Sequence, residues 1–449
     1  MRRSPLLIVA AAMIILSACQ SDAEPSAKKP RGEPTGIAFS DLPESLSTLT
    51  PYPSSKKPEL EAPEGFEPVF AENVARHGAR SLTSDDPLED AIELWDEAKA
   101  ANALTTVGKR FGPDVRALHN AMIQVGYGDL STLGQEEMQG IGAREGERLS
   151  ALFDTAIADG AKVDVFDSGK GRAEESAENF SIGLSSVKPD LDIEPPESDE
   201  DILKFSNENN KYRDFLDEGP WKADYNEARR LANIDGIAIE VLERLYKPDF
   251  VAGIEDPLEE ASGVYDVYRS APAMSRDINV DAKKYVTNEA ADTFAYVDDA
   301  RYFYSRGPGR VGDDGSYQAA QILLDDFFSA IDDHLLGRGN HPHAAVYRFA
   351  HAEEITPFAA MLALPDAAEP AEPGDIYTHD NNDFRVSTVS PLSANIEWIV
   401  WSKGDTNIVS IQHNEVPATV GRDCKPYKGT ENFYKLEELR TCLGATPTP

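Results

Sequence analysis

Residues 68–80 of the chain read PVFAENVARHGAR, and this stretch decides the fold. Its apolar first part predicts a β-strand over residues 68–75, which runs directly into a loop at Arg76-His77-Gly78. Ligands of open α/β sheets bind at the carboxyl ends of strands, and a cationic loop at that place can hold an anion. The stretch therefore predicts an α/β sheet with a functional site at its edge.

The loop carries the residue types that phosphoryl transfer requires. A neutral imidazole such as that of His77 is a good nucleophile, and its unperturbed pKa is about 6.5. Arg76 and Arg80 can hold the nonbridging oxygens of a phosphate through paired, charge-assisted hydrogen bonds. Gly78 lets the backbone come close to the anion. A basic surface turn would have the same composition, so the motif needs support from other segments.

A second signal lies at residues 348–354, which read RFAHAEE. They follow another predicted strand and open a predicted helix, whose N-terminus favours an anion nearby. His351 can donate a hydrogen bond to phosphate, and Glu353 can protonate a leaving alkoxide as a general acid. The structural alternatives are an ordinary charged first turn for Glu353 and Glu354, and a core histidine bonded to backbone for His351.

A third signal lies at residues 167–172, which read DSGKGR. The segment comes after a predicted strand and before a predicted helix, so it would meet the other two at the same edge of a sheet. Arg172 supplies another guanidinium for a phosphate, and Lys170 is a candidate contact to a second phosphate. A basic loop before a helix is the alternative for Lys170.

The order of the predicted elements favours an α/β fold with a mainly parallel sheet and flanking helices. After the first strand, helical spacing covers residues 88–104, 136–158 and 172–184, with a short alternating strand at 163–166. The following periodic stretches are mostly helical, which predicts a mainly helical inserted domain. The predicted segments are a signal peptide at 1–18, a flexible tether at 19–60, an α/β core at 61–196 and 340–449, and a helical insertion or cap at 197–339.

The first residues predict export and attachment to lipid. A positively charged start precedes an apolar run that is too short for a lasting transmembrane helix. Residues 16–19, LSAC, resemble a bacterial lipoprotein cleavage box, which implies cleavage before Cys19 and lipid on its sulfur. Gln20, the residue after Cys19, is similar to the signal that directs lipoproteins of this type to the outer membrane. The predicted localisation is the cell envelope, on its periplasmic or surface face, and an ordinary signal peptide is the alternative.

Charge and cysteine content narrow the choice of partners. A formal net charge of -36 disfavours nucleic acid and anionic lipid as surface partners, so a small anionic substrate requires a local basic pocket. Besides Cys19, the chain has Cys424 and Cys442. An oxidising compartment favours a disulfide between them, and two unpaired thiols are the alternative. The sequence predicts no oligomeric state.

These segments together resemble the histidine acid phosphatases, the larger branch of the histidine phosphatase superfamily. The resemblance covers most of the chain after about Phe66. It implies a histidine phosphatase-like α/β fold in which Arg76, His77 and Arg80 form the phosphate-binding start motif, with His77 as the nucleophile. One departure is Leu82, which stands where the family usually has proline and puts the local shape of the loop in doubt.

The resemblance also assigns residues outside the start motif. Thr83 matches a substrate contact, Arg172 matches a distant third arginine, and His351 matches the second catalytic histidine. The order His351-Ala352-Glu353 is similar to the multiple inositol polyphosphate phosphatases, in which glutamate donates the proton. The implied mechanism has two steps: attack by the nucleophilic histidine, and hydrolysis of the phosphohistidine by a water that Glu353 assists. No metal or other cofactor is expected, because the arginines neutralise the charge.

The implied substrates are inositol polyphosphates such as phytate. Other phosphate monoesters, for example sugar phosphates or bisphosphoglycerate, remain an alternative, and so does a non-catalytic envelope lipoprotein that binds anions. The helical insertion would set the choice of substrate. The candidate lining residues in it are Lys283, Lys284, Arg306 and Arg310, although a surface charge is the favoured interpretation of each.

Overall fold

The computed structural model describes residues 44–53, 60–338, 342–421 and 423–445. The predicted signal peptide, the lipidation site Cys19 and most of the predicted tether lie outside the described residues. Among the helices that are described, none is long and apolar enough to cross a bilayer.

Residues 44–53 correct the prediction of a flexible tether that extends to residue 60. Glu44–Leu49 form a 3-10 helix, and all of its residues after the first are buried. Leu49 packs among the helices, and Tyr52 joins the core beside the sheet. Ser and Thr residues surround the apolar residues of this segment and give it the composition of a linker. The structured part of the chain nevertheless begins earlier than Phe66.

A mixed sheet of nine strands lies at the centre of the described chain. The strands are β1 (Glu67–Arg76), β2 (Lys162–Asp167), β3 (Asp192–Ile193), β4 (Glu197–Ser198), β5 (His343–Ala350), β6 (Asn395–Lys403), β7 (Thr406–His413), β8 (Val416–Pro417) and β9 (Phe433–Lys435). Their order is β3-β2-β5-β1-β6-β7-β8, with β4 paired to β2 and β9 paired to β7.

The parallel half of the sheet brings the three predicted site segments to one edge. Strands β2, β5 and β1 run parallel as neighbours, and β6 and β7 extend the sheet in the antiparallel sense. Arg76 at the end of β1 aligns with Ala350 of β5, and Asp167 at the end of β2 aligns with Phe349. The predicted α/β fold with a mainly parallel sheet is confirmed, and each predicted site segment follows one of these strands.

Helices flank the sheet and supply the predicted helical insertion. The helices before β2 are α1 (Asp86–Ala100), α2 (Gly108–Val125), α3 (Thr132–Arg148) and α4 (Ser150–Asp159), and α5 (Gly171–Val187) follows it. The insertion contains α6 (Glu200–Leu203), α7 (Phe205–Glu208), α8 (Asn210–Glu218), α9 (Trp221–Leu231), α10 (Ile234–Leu245), α11 (Pro248–Val251), α12 (Pro257–Ser270), α13 (Asn288–Ser305) and α14 (Gln321–Leu336). The later helices are α15 (Ala352–Met361), α16 (Val386–Val389) and α17 (Leu436–Cys442).

Glycines allow α3 to pack closely against its neighbours at the site. A Cβ atom on Gly142 of α3 would lie 2.1 Å from the carbonyl oxygen of Phe180 in α5. A Cβ atom on Gly134 would lie 2.0 Å from the carbonyl oxygen of Ala79. Only glycine fits at such distances. The N-terminal part of α3 therefore lies directly against the loop that follows β1.

The helical layer is built from two parts of the chain. Apolar residues of α1 and α2 form one cluster with those of α10, α12 and α13. Trp95 of α1 and Tyr246, which follows α10, are among its buried members. The core of the inserted helices therefore includes helices that precede residue 197, and the boundary at that residue stays a prediction.

A disulfide joins Cys424 to Cys442, with the two Cα atoms 5.3 Å apart. It links the segment after β8 to α17, whose Leu439 is fully buried. The bond holds the C-terminal helix at the antiparallel end of the sheet, away from the edge that carries the site segments.

Candidate active site

The loop after β1 is fixed on both sides by neighbouring strands. The backbone N–H of His77 donates to the carbonyl of Ala350 at the end of β5, at 3.0 Å. The N–H of Arg76 donates to the carbonyl of Ala394, just before β6, at 2.7 Å. His77 is 2% exposed. The sheet thus holds this imidazole at a defined, buried position.

The hydrogen bond of the His77 ring defines its reactive nitrogen. Nδ1 lies 3.0 Å from the carbonyl oxygen of Gly78, which can only accept, so Nδ1 carries the hydrogen and Nε2 carries the lone pair. The pKa of His77 is held well below its usual value by burial and then by the charges of Arg76, Arg80, His351 and Arg172. The ring is therefore neutral at physiological pH, which is the nucleophilic form.

His351 is the second histidine of the site. Its ring centroid lies 5.5 Å from that of His77, with an angle of 61° between the two planes. It precedes the first turn of α15, and its Nε2 lies 2.8 Å from the hydroxyl oxygen of Ser168. Its Nδ1 is buried without a hydrogen-bond partner among the described residues. Burial, followed by the charge of Arg172, lowers the pKa of His351.

Four arginines of the site share an unusual property. In the part of the chain that the structure describes, their Nε atoms are buried without a hydrogen-bond partner, and none of the four forms a salt bridge. They are Arg76, Arg80, Arg172 and Arg306. The hydrogen bonds that they do make reach neutral acceptors, such as the carbonyls that Arg76 and Arg80 contact. Arg76 is buried and the other three are half-buried, and such cations without a carboxylate at salt-bridge distance form a cluster that is suited to an anion.

The pKa values of the arginines show how strongly these charges crowd one another. Burial, with the charges of Arg76 and Arg172, lowers the pKa of Arg80 to about 9. Burial likewise lowers the pKa of Arg76, and Arg172 contributes to that shift. A phosphate at this place would relieve the repulsion, because opposite charge restores the cationic forms.

Glu353 and Glu354, which are adjacent in α15, have different environments. Burial opposes the charge of Glu353, but Arg306, His351 and Arg76 outweigh burial and lower its pKa. Glu354 is buried, burial raises its pKa well above the usual value, and its carboxylate accepts from the backbone N–H of His351 at 3.2 Å. Glu353 therefore faces the cations and is available for proton transfer, whereas Glu354 holds the start of the helix.

Two predicted substrate contacts lie at the surface. Thr83 and Lys170 are exposed. Lys170 precedes α5, and its charge acts on Glu200. The structure therefore places both residues outside the buried cluster, and their predicted contact with substrate stays a prediction.

Of the predicted lining residues in the insertion, only Arg306 reaches the site. Its charge acts directly on Glu353, and its guanidinium lies 5.4 Å from the ring centroid of Tyr302. Arg310 instead pairs with Asp224, and Lys284 pairs with Asp114 at 2.8 Å. The sequence gives no means of distinguishing these cations, because the packing of α13 decides which one faces the sheet.

Three site residues are missed by the sequence analysis. Ser168 bonds the ring of His351, and it lies inside the 167–172 segment that the analysis singles out for its cations. Ser176 accepts from the backbone N–H of Gly78 at 3.1 Å and donates to the carbonyl of Arg172 at 2.6 Å. Glu137 accepts from the N–H of Ala79 at 2.9 Å. Only the position of Ser168 gives a signal in the sequence; the other two depend on the packing of α3 and α5.

Comparison with known protein families identifies the class of protein. The model of the histidine phosphatase superfamily (branch 2) matches residues 69–414. The chain therefore belongs to the histidine phosphatase superfamily, branch 2, which confirms the family that the three motifs indicate.

Comparisons with individual proteins agree with this class. The fold is similar to that of Bifidobacterium longum multiple inositol polyphosphate phosphatase, crystallised with inositol hexasulfate: the TM-score is 0.82, the identity is 26%, and the match covers 89% of this chain and 97% of that one. The D. castellii phytase shares the fold, with a TM-score of 0.61, 15% identity and coverage of 89% of this chain and 84% of that one. Multiple inositol polyphosphate phosphatase 1 of Dictyostelium discoideum is 35% identical over 80 residues, which is 17% of this chain and 13% of that protein. Together with the family, the similarity to the Bifidobacterium longum protein supports a phosphatase.

Proposed function

We propose that this protein is a phosphomonoesterase that hydrolyses inositol polyphosphates through a phosphohistidine on His77, with Glu353 as the proton donor. One observation carries the proposal: arginines with buried Nε atoms, which form no salt bridge among the described residues, act on a neutral imidazole whose Nε2 carries the lone pair. Such an arrangement neutralises an oxyanion and presents a nucleophile to it.

One phosphoryl group would be held by Arg76, Arg80, Arg172 and His351. Their Nε–H groups supply donors that other residues of the described chain do not satisfy, and Nδ1 of the His351 ring likewise has no hydrogen-bond partner there. Because the donors are fixed by the ends of β1, β2 and β5, they cost little reorganisation when the anion binds. The bound group would then lie where Nε2 of His77 can approach phosphorus.

In the first step, the lone pair on Nε2 of His77 forms a bond to phosphorus while the bond from phosphorus to the ester oxygen breaks. Glu353, which takes up a proton when the anionic substrate neutralises the surrounding cations and raises its pKa, gives that proton to the departing oxygen, so that an alcohol leaves rather than an alkoxide. The phosphoryl group remains on His77, whose ring becomes cationic. The hydrogen bond from Nδ1 to the carbonyl of Gly78, 3.0 Å long before reaction, strengthens as that charge develops.

In the second step, Glu353 has become the ionised base. It accepts a proton from water as the water oxygen attacks phosphorus and the bond from phosphorus to Nε2 breaks. Inorganic phosphate and neutral His77 result, and Glu353 is protonated again. His77 and Glu353 are then in the same protonation states as at the start of the first step, and Glu353 carries the proton that is transferred in each step.

Inositol polyphosphates are proposed as substrates for two reasons. The Bifidobacterium longum protein with this fold, and the Dictyostelium discoideum protein that is 35% identical over 80 residues, are both named multiple inositol polyphosphate phosphatases. Arg306 also adds a fourth guanidinium beyond the three that act on His77, on the side of Glu353 and the leaving group. A substrate with several phosphates can satisfy this extra cation, whereas a monophosphate cannot satisfy it while its phosphoryl group lies at His77.

The experiment is a phosphate-release assay with phytate, glucose 6-phosphate and 2,3-bisphosphoglycerate, run on the wild type and on His77→Ala. We expect release from phytate by the wild type and none above background from His77→Ala. The matched control is His119→Ala, because His119 lies on α2 and its ring bonds the hydroxyl of Tyr127 at 2.7 Å rather than a residue of the phosphate-binding cluster. Release from the sugar phosphate without release from phytate would contradict the substrate, and full activity of His77→Ala would contradict the nucleophile.

We also propose that the mature protein is a lipoprotein, exported and anchored through Cys19 to the outer membrane. The support is the LSAC segment and the disulfide between Cys424 and Cys442, which is typical of exported proteins. Mass spectrometry of the N-terminal peptide from envelope fractions tests this proposal. A diacylglyceryl group on Cys19, lost in Cys19→Ser, is the expected result, and an unmodified N-terminal Met1 would contradict it.

A further inference from the structure

The carboxylate of Glu137 joins three segments that are far apart in the chain. Its Oε1 accepts from the backbone N–H of Tyr52 at 2.8 Å. Its Oε2 accepts from the N–H of Ala79 at 2.9 Å and from the hydroxyl of Ser393 at 2.7 Å. Ala79 lies in the loop between His77 and Arg80, so one carboxylate fixes a peptide group at the centre of the phosphate-binding motif.

The contact to Ser393 lets Glu137 support a second backbone group beside the nucleophile. The backbone N–H of Ser393 donates to the carbonyl of His77 at 3.0 Å. Ser393 adopts a φ of 62°, which L-residues other than glycine rarely populate, so its conformation requires support from its surroundings. The hydrogen bond to Glu137 supplies part of that support. The carboxylate therefore supports two backbone groups that follow the ring of His77 along the chain: the N–H of Ala79 directly, and the carbonyl of His77 through Ser393.

The charge of Glu137 is matched by hydrogen-bond donors rather than by an adjacent cation. Burial raises the pKa of Glu137 to about 7, although the three hydrogen bonds and the charge of Arg76 oppose that shift. All three donors point at the carboxylate, so each requires an acceptor atom. A side-chain amide in its place would offer one acceptor oxygen and would present its NH₂ group, which is itself a donor, to the remaining donors. The neighbouring Glu136 differs, because it pairs with Arg276 at the surface.

We propose that Glu137 is a positioning residue of the active site, whose carboxylate sets the conformation of the loop 77–80 for the in-line transition state. The inference rests on the proposed phosphatase function. It predicts that loss of the carboxylate harms the transition state more than the bound ground state, since a displaced loop still offers cations but no longer aligns His77 with phosphorus.

The test compares Glu137→Gln with the matched control Glu136→Gln, adjacent on the same helix. Orthovanadate probes the five-coordinate transition-state geometry, inorganic phosphate probes ground-state binding, and phytate turnover gives kcat and KM. We expect Glu137→Gln to lower kcat by about 10- to 100-fold with a smaller change in KM, and to weaken vanadate binding more than phosphate binding. Glu136→Gln should match the wild type in all four quantities.

Ser393→Ala provides a second variant that keeps Glu137 and removes one of its donors. It should shift the ratio of vanadate to phosphate affinity in the same direction, and it decides the question if Glu137→Gln does not fold. Equal weakening of both anions, or no weakening, in the folded variants would overturn the positioning role. A wild type that binds phosphate without releasing it from esters would overturn the proposed function alone, because the affinity ratio still tests Glu137. A wild type that binds neither anion would overturn both.

Discussion

Helix α3 connects two buried charged regions that are built in opposite ways. The first is the phosphate pocket, which consists of His77, His351, Glu353, Arg76, Arg80, Arg172 and Arg306. The second is the α3 seam, where α3 packs against β5, β6 and the segment after β7; it consists of Tyr52, Arg144, Glu145, Arg148, Tyr347, Glu397, Gln412 and Glu415. Both regions remove guanidinium groups from water, but only the seam pairs them with carboxylates.

In the α3 seam, each arginine binds a carboxylate of the C-terminal strands. Arg144 binds both oxygens of Glu415, at 2.8 and 2.6 Å. Arg148 binds Glu397, at 2.9 and 2.8 Å, and also binds Glu145. The Nε of Arg148 has no partner of its own, yet the charge of its guanidinium is matched. These pairs hold the helix against the sheet.

The phosphate pocket has the opposite composition. Arg76, Arg80 and Arg172 act on one another and on His77 without a salt bridge among the described residues, and Glu353 is the carboxylate that their charges act on. Burying such cations costs free energy that the fold does not recover from a partner. The contrast teaches that buried arginine alone does not mark an anion site; buried arginine without a carboxylate does.

The largest effect we expect comes from breaking the α3 seam. Arg148→Met leaves the buried carboxylates of Glu145 and Glu397 without their cation, and removing one partner of a buried pair costs about 3–5 kcal/mol. Burial already raises the pKa of Glu397 well above its usual value. A carboxyl group whose pKa is raised in the folded state stabilises that state less as the pH rises. The loss of stability caused by Arg148→Met should therefore be larger at pH 8 than at pH 5. Urea unfolding at both pH values measures it.

A matched control for this variant is Arg116→Met, which breaks an exposed pair with Asp96 at 2.6 Å. Exposed pairs contribute about 0–1 kcal/mol, so this variant should unfold at nearly the same urea concentration as the wild type. Equal stability of the Arg148 and Arg116 variants would contradict the expectation that the buried pairs of the α3 seam stabilise the fold more than an exposed pair does.

The next effect comes from breaking the phosphate pocket. Arg80→Met removes one donor to the phosphoryl group and should lower kcat/KM by about 100- to 1,000-fold. The free energy of unfolding should stay the same or increase, because burial opposes the charge that is lost and lowers the pKa of Arg80 to about 9. Phytate turnover and urea unfolding of the same preparation measure both quantities. A loss of stability as large as that of Arg148→Met would contradict the contrast.

Inorganic phosphate should test the comparison between the two regions, because it would supply the anionic partner that the arginines of the phosphate pocket lack. A ligand that binds only the folded state, and whose concentration is a hundred times its Kd, raises the free energy of unfolding by about 2.7 kcal/mol. We expect this gain for the wild type in inorganic phosphate, and a clearly smaller gain for Arg80→Met at the same concentration. Sodium chloride at matched ionic strength is the control. The same gain in both proteins would place the bound anion elsewhere.

The sequence predicts the phosphate pocket better than the α3 seam, because most of the pocket lies in short segments at the ends of strands. Arg76 ends β1, His77 follows it, and His351 follows β5, so local patterns reveal them. The order of the strands, with β5 between β2 and β1, is a long-range pairing that no local pattern contains. The family resemblance supplies this arrangement, whereas the spacing of residues does not.

What the sequence misses depends on distant packing. Glu137 belongs to a polar helix surface that has the composition of a solvated face, yet the glycine contacts of α3 place it against the loop. Arg306 is one of several cations in the insertion, and only the fold separates it from Arg310, which pairs with Asp224. The predicted tether fails at Leu49 for the same reason, because its apolar partners lie in remote helices.

The smallest effect we expect is a proton taken up when phosphate binds. Before binding, Arg306, His351 and Arg76 outweigh burial and hold the pKa of Glu353 low, so that the carboxylate is ionised at pH 6. A bound phosphate neutralises these cations and adds negative charge, which raises the pKa of Glu353 and favours the protonated form that the first step requires. Titration calorimetry at pH 6 in two buffers of different ionisation enthalpy should therefore show uptake that approaches about one proton in the wild type. The uptake should fall in Glu353→Gln, since phosphate's own titration and that of the histidines are common to both proteins. Equal uptake in the two proteins would mean that Glu353 does not change its protonation state when the anion binds, and the proton donor would have to be sought elsewhere.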